Sequence, residues 1–130
     1  MAAIAHVCDL TDDEAFRLRL KIEYNSIQEG KCFIWQGSKT SETPYYGIIN
    51  AKLVCCGRVR RLRVHRLQWQ IKNGKEGMET NDTSHLCHHS LCSVIQHLTL
   101  ESRSQNNSRL ACKNFGDCFG HDGPDCILDA

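Results

Sequence analysis

Apolar and polar positions change period several times along this chain. Thr11 is followed three residues later by Glu14, with acids at 12–14, and Phe16, Leu20, Tyr24 and Ile27 recur near helical spacing. The pattern predicts a capped helix from about Asp12 to Ser26 with those four residues on its buried face, although Phe16, Leu18, Leu20 and Ile22 also alternate as a strand would. KCFIWQG, PYYGIINAK and VRRLRVH are short β-prone runs broken by Gly37, Ser38, Pro44 and Gly57, and they predict a small antiparallel sheet. HRLQWQIKNG predicts a short helix with Leu67 and Ile71 on one side and Gly74 as its stop.

From Ser84 onward the pattern fails. SHLCHHSLCSVIQHLTLESRSQNNSR, residues 84–109, has little apolar periodicity, so core packing does not account for it. Residues 100–111, LESRSQNNSRLA, are polar enough that a helix there needs an external support, such as metal loops at both ends. The tail CKNFGDCFGHDGPDC, 112–126, is rich in Gly and cannot bury a core of its own, but a metal would organise it.

Composition narrows the meaning of these stretches. A chain of 130 residues suits one domain, and the boundaries expected are an N-terminal helical segment over 1–30 and a metal-stabilised α+β domain over 31–130. Only 41% of residues are apolar and nine are Cys, which calls for staples. The odd Cys count, and the start MAAIAHVCDLTDDE without a basic leader, argue against a secreted disulfide scaffold. No apolar run approaches membrane-spanning length, so no membrane partner is expected. An intracellular, reducing location follows, and there Cys mixed with His reads as zinc.

The net charge of +1 conceals an asymmetry. Residues 1–30 hold six acids and three bases, whereas 43–75 hold eight bases and no acid. GRVRRLRVHR concentrates Arg58, Arg60, Arg61, Arg63 and Arg66, and a polyanion is the natural partner of such a strand.

Spacing then proposes metal sites. Cys112, Cys118, His121 and Cys126 form a complete four-ligand set in one irregular loop, as tetrahedral zinc requires. Cys87, Cys92 and His97 are one ligand short. Cys8, Cys32, Cys55, Cys56, His88 and His89 are all candidates for the fourth, and spacing does not choose among them. Cys8, Cys55 and Cys56 read most simply as free thiols.

These residues resemble the His-Cys box group of homing endonucleases, a branch of the ββα-metal (His-Me finger, HNH-like) nucleases. SHLCHHSLC, then His97-Leu98, then an Asn 21 residues after the first His, is similar to that group's box. CFIWQG, YYGIINAK and VHRLQW resemble the C-W-x-W-x-G, Y-G and H-R-L segments of related HNH endonucleases, so the likeness covers about 31–126. The resemblance implies a small antiparallel sheet with a ββα-metal motif and two structural zinc sites. One would comprise Cys32, Cys87, Cys92 and His97, and the other Cys112, Cys118, His121 and Cys126. It implies His85 as general base and Asn106 as ligand to one catalytic magnesium, with one of Arg58, Arg60 and Arg61 supporting the scissile phosphate.

The activity so implied is magnesium-dependent hydrolysis of double-stranded DNA. Arg58, Arg60, Arg61 and Arg63 would bind the DNA, and the nucleus is favoured over the cytoplasm. The chain departs from the box in carrying Val94-Ile95 where Asn-Pro is usual after the second Cys, and in having Asn107 beside Asn106. Members of the group can pair through a C-terminal extension, whereas four residues follow Cys126 here. The expectation is either a homodimer through another surface or a monomer that nicks one strand. An inactive zinc-stabilised DNA-binding module and a zinc module without nucleic acid are the competing readings.

Overall fold

The computed structural model describes residues 7–118, 120–121 and 123–128. Its elements run α1 (Asp12–Tyr24), β1 (Ser26–Glu29), β2 (Cys32–Trp35), β3 (Ile48–Leu53), β4 (Arg58–Arg63), α2 (Val64–Asn73), β5 (Asp82–His85), β6 (Leu98–Glu101) and α3 (Arg103–Phe115). The strands form three antiparallel two-stranded ladders, β1–β2, β3–β4 and β5–β6. Single bridges, Ile34 to Cys92 and Lys39 to Gly47, link pieces that the ladders leave apart. The fold is a small α+β structure, with its sheet divided into hairpins.

α1 begins where the capping box predicts, because the Thr11 hydroxyl accepts from Glu14 N–H and the Glu14 carboxylate accepts from Thr11 N–H. Its buried face differs from the expected one. Glu14, Leu18 and Ile22 are buried, whereas Phe16, Tyr24 and Ile27 are 61%, 82% and 50% exposed. Two rows at i, i+4 spacing were available, 14–18–22 and 16–20–24, and periodicity alone ranks the more apolar one higher. Glu14 settles the choice. Its second carboxylate oxygen accepts from Val54 N–H at 3.0 Å, which turns its own row toward the β3–β4 turn.

The main core gathers Leu18 and Ile22 of α1, Trp35, Ile49 and Leu53 of the hairpins, and Val64 and Leu67 of α2. Burying a side chain such as Ile22 or Leu53 contributes ~1.5–3 kcal/mol. Trp35 is wedged between two glycines. A Cβ at Gly37 would lie 2.3 Å from its ring and one at Gly47 would lie 2.6 Å away, so both positions must be bare for the indole to seat and donate to Ser38 O. A second, smaller core is made of thiols, Cys32, Cys87 and Cys92, with Ile34, Val94 and Ile127 around them.

α2 runs from Val64 to Asn73 and is capped by Gly74, whose φ of +84° suits glycine. α3 has a start signal not read from the sequence. Ser102 and Gln105 form a reciprocal capping box, so this polar helix is fixed at its first turn by its own residues. Its interior is held by an ion pair. Arg109 is 2% exposed and donates two bonds of 2.7 Å to Glu101 on β6. Burial works to raise the Glu101 pKa, but the paired guanidinium outweighs it and holds the carboxyl below its usual value. Arg109 also donates to Pro124 O and to Cys126 Sγ, and so ties α3 to the C-terminal loop.

Candidate metal centres and active-site cleft

The ladder β1–β2 ends at Cys32, and Ser93 N–H and the Ser93 hydroxyl both bond Phe33 O, so residues 87–97 are laid against β2. The loop folds back on itself through Cys92 N–H to His89 O and His97 N–H to Val94 O. Four ligand atoms converge as a result. Cys32, Cys87, Cys92 and His97 lie within 4.8 Å of one another, all buried. His97 Nδ1 is 3.6 Å from Cys32 Sγ and 3.5 Å from Cys92 Sγ. Tetrahedral zinc with Zn–S of about 2.3 Å and Zn–N of about 2.0–2.1 Å places neighbouring S and N atoms about 3.6 Å apart, so the cluster has the edge lengths of a zinc site.

The same test fits the C-terminal cluster of Cys112, Cys118, His121 and Cys126, which also lie within 4.8 Å. His121 Nε2 is 3.5 Å from Cys118 Sγ and 3.6 Å from Cys126 Sγ. Cys112 is delivered by the last turns of α3, and Gly116, at φ +75°, closes that helix and sends the chain back toward it. Structure thus chooses Cys32 from the candidate fourth ligands of the first cluster. His88 and His89 are in neither. Cys8, Cys55 and Cys56 are free thiols, as expected, and their sulfurs form a third group of their own.

β5, β6 and α3 place the candidate chemistry. His85 ends β5 opposite Leu98, and its Nε2 lies 3.1 Å from Cys92 O. A carbonyl only accepts, so Nε2 carries the proton and Nδ1 holds the lone pair. Burial pushes the imidazole down to about 4, which keeps the ring neutral near pH 7. His85 is not in the zinc cluster that Cys92 joins. It packs on His65 at 4.6 Å and on Tyr46 at 6.3 Å, measured between ring centres.

Asn106 stands in the first turns of α3, and its amide nitrogen donates to Asp82 Oδ2 at 3.3 Å. That bond fixes which end of the carboxamide is oxygen. Both Asp82 oxygens are already engaged by Arg103, at 2.9 and 3.0 Å, so Asp82 acts as a clamp on α3. The Arg103 pair holds the Asp82 carboxyl below its usual pKa.

Asn106, Asn107, Asp82 and Arg103 line a cleft of about 610 Å³, whose other wall is the β3–β4 hairpin and the start of α2. Arg60, Arg61, Arg63 and Arg66 line it too, against the single acid Asp82 among the lining residues. Tyr46 and His65 belong to this lining, whereas His85 does not line the cleft itself and packs against both of those rings. The expected DNA-binding arginines divide. Arg61 and Arg63 are exposed, and Arg63 lies over the Tyr46 ring at 4.8 Å. Arg58 is exposed near the hairpin tip and does not line the cleft, while Arg60 is half-buried and does line it. Arg66 is structural. It donates to Met78 O and Asn81 O and so shapes the segment before β5.

Sequence reasoning missed Asp82 and Arg103, whereas packing was one of the two uses expected of His65. The only available signal was the placement of Asp82 three residues before His85, and a carboxylate in that position has many ordinary uses.

A ββα unit flanked by two Cys/His clusters and a cationic cleft is the architecture of a zinc-stapled nuclease-like domain. The chain belongs to the family described as the zinc-binding loop region of homing endonuclease, which matches residues 28–128. That agrees with the His-Cys box resemblance. No curated protein and no solved structure matches the chain.

Proposed function

We propose that this protein is a magnesium-dependent endodeoxyribonuclease, with His85 as general base and Asn106 as the protein ligand of the catalytic ion. The observation that supports the reading is the pairing of two fixed orientations, Asn106 in the lining of a cationic cleft and His85 packed behind the Tyr46 and His65 rings that line it. Asp82 fixes the Asn106 carboxamide, and Cys92 O fixes the His85 tautomer. Magnesium takes oxygen ligands and retains most of its waters, so one neutral carboxamide oxygen plus phosphate oxygens suits it. Bound there, it would supply charge stabilisation for the leaving 3′ oxygen.

The chain's own residues do the rest. His85 Nδ1 accepts a proton from water, and the Nε2–H bond to Cys92 O steadies the ring as it gains charge. Arg61 and Arg63 hold phosphates along the hairpin wall. Asp82 keeps Asn106 and Arg103 in place as a positioning residue. Zinc stays outside the chemistry, and its ligands fix the loops before β6 and after α3. Two chains acting together would cut both strands, and one acting alone would nick.

Supercoiled plasmid incubated with protein and magnesium provides the test. The wild type is expected to nick or linearise it. His85→Ala and Asn106→Ala should each lose activity at least ~100-fold, the scale of general-base catalysis, with zinc content unchanged. Equal cleavage by wild type and His85→Ala would remove the mechanism. Intact plasmid in every lane, with salt-sensitive binding, would support the inactive module instead.

A further inference from the structure

Three thiols outside both Cys/His clusters share one spot. Cys8 precedes α1, and Cys55 and Cys56 sit in the turn of the β3–β4 hairpin, yet their sulfurs all lie within 4.8 Å of one another. Cys8 Sγ is 3.9 Å from Cys56 Sγ. Two sulfurs on one tetrahedral zinc are expected about 3.8 Å apart, given Zn–S of about 2.3 Å. We propose that Cys8, Cys55 and Cys56 form a third metal site, holding a thiophilic ion through three sulfurs and leaving its fourth position to water or another donor.

The local structure is built toward this. Gly57, at φ +65°, closes the turn by donating to Leu53 O, which presents both neighbouring cysteines on one tight loop. Gln70 donates to Cys8 O at 2.7 Å and so fixes Cys8 from α2. Arg60 lies near Cys56 and Cys8 and has its Nε buried without a partner, placing a cation beside sulfurs that would carry negative charge on a metal. Cys55 is exposed and gives the ion an entry path, while Cys8 is buried and closes the far side.

A disulfide accounts for the group less well. Adjacent residues have Cα atoms about 3.8 Å apart across a trans peptide, short of the ~4.4–6.8 Å that a disulfide prefers. A Cys8–Cys56 bond would leave Cys55 unused. On binding, each thiol gives its proton to solvent and its sulfur bonds the ion, with no change of oxidation state. The bound ion would pin the N-terminal segment to the hairpin whose arginines wall the cleft, and this proposal does not depend on nuclease activity.

The full chain, kept reduced and supplied with excess zinc, is desalted and its metal counted by native mass spectrometry and elemental analysis. The wild type should carry three zinc ions per chain, one for each cluster, and Cys55→Ser and Cys56→Ser should each carry two. Cobalt substitution should show the sulfur-to-metal band of the wild type weakened in both variants, and neither variant should lose its helical circular dichroism. Saturation of the wild type at two ions, or a third ion retained by either variant, would overturn the site. So would a wild-type mass lower by one pair of hydrogens with only two ions bound, since that marks a disulfide.

Discussion

Asp82 makes three charge-assisted or polar bonds, to both arms of Arg103 and to Asn106, with side chains that belong to another element. Removing its charge without changing its size tests whether orientation of Asn106 matters. Asp82→Asn is expected to reduce DNA cleavage by about 10–100-fold, the cost seen when groups supporting a metal ligand are lost, with most of the loss recovered at high magnesium. Unchanged cleavage would show that Asn106 needs no clamp. Arg109 is the other residue whose loss spreads. Arg109→Met leaves Glu101 buried without its partner, and breaking such a pair costs roughly 3–5 kcal/mol. Thermal unfolding checks this, and a shift within error would mean that the Glu101 carboxyl finds water or is readily protonated.

Elements in this protein divide by what holds them. α1, α2 and the β3–β4 hairpin share an apolar core, whereas residues 86–97 and the ligands Cys112, Cys118, His121 and Cys126 close around sulfur and imidazole. Metal removal should therefore act unevenly. A strong chelator is expected to abolish hydrogen-exchange protection in the two Cys/His loops and at the end of α3, while amides of Ile22 and Leu53 stay protected. Uniform loss would show a single cooperative unit. Rebinding releases protons, because burial pushes the Cys32 thiol up to about 11 and zinc must displace that proton. Zinc affinity should thus fall as pH falls, which a competition titration with a colorimetric chelator reads directly.

Legibility in the sequence followed the same division. The α1 start, the α2 stop at Gly74 and the three β runs were readable because caps, turn residues and alternation are local. The face of α1 was not, since Glu14 is turned inward by Val54, 40 residues away. Nor was the Ser102 capping box, because the polar run that follows it has little apolar periodicity to mark a helix.

At the scale of the whole molecule, arginines gather at the cleft. Five arginines and one aspartate line the cleft, although the chain's net charge is only +1. No helix among the described residues is long and apolar enough to cross a membrane. DNA affinity should fall steeply with salt, and Arg61→Ala and Arg63→Ala should each reduce the slope of log affinity against log salt by about 1. Arg66→Ala should instead lower thermal stability, since its bonds are to Met78 and Asn81 carbonyls. A salt slope near zero for the wild type would favour a zinc module without nucleic acid.

The sequence by itself determined ligand chemistry. Cys and His at those intervals specify donors that suit zinc, because donor type and spacing are written in order along the chain. Tertiary structure decided membership. It took Cys32 into the first cluster, gathered Cys8 with Cys55 and Cys56, and tied Arg66 to the Met78 and Asn81 carbonyls. The physical reason is that partners 40 to 65 residues apart meet only through packing, and a sequence fixes such encounters jointly rather than at any one position.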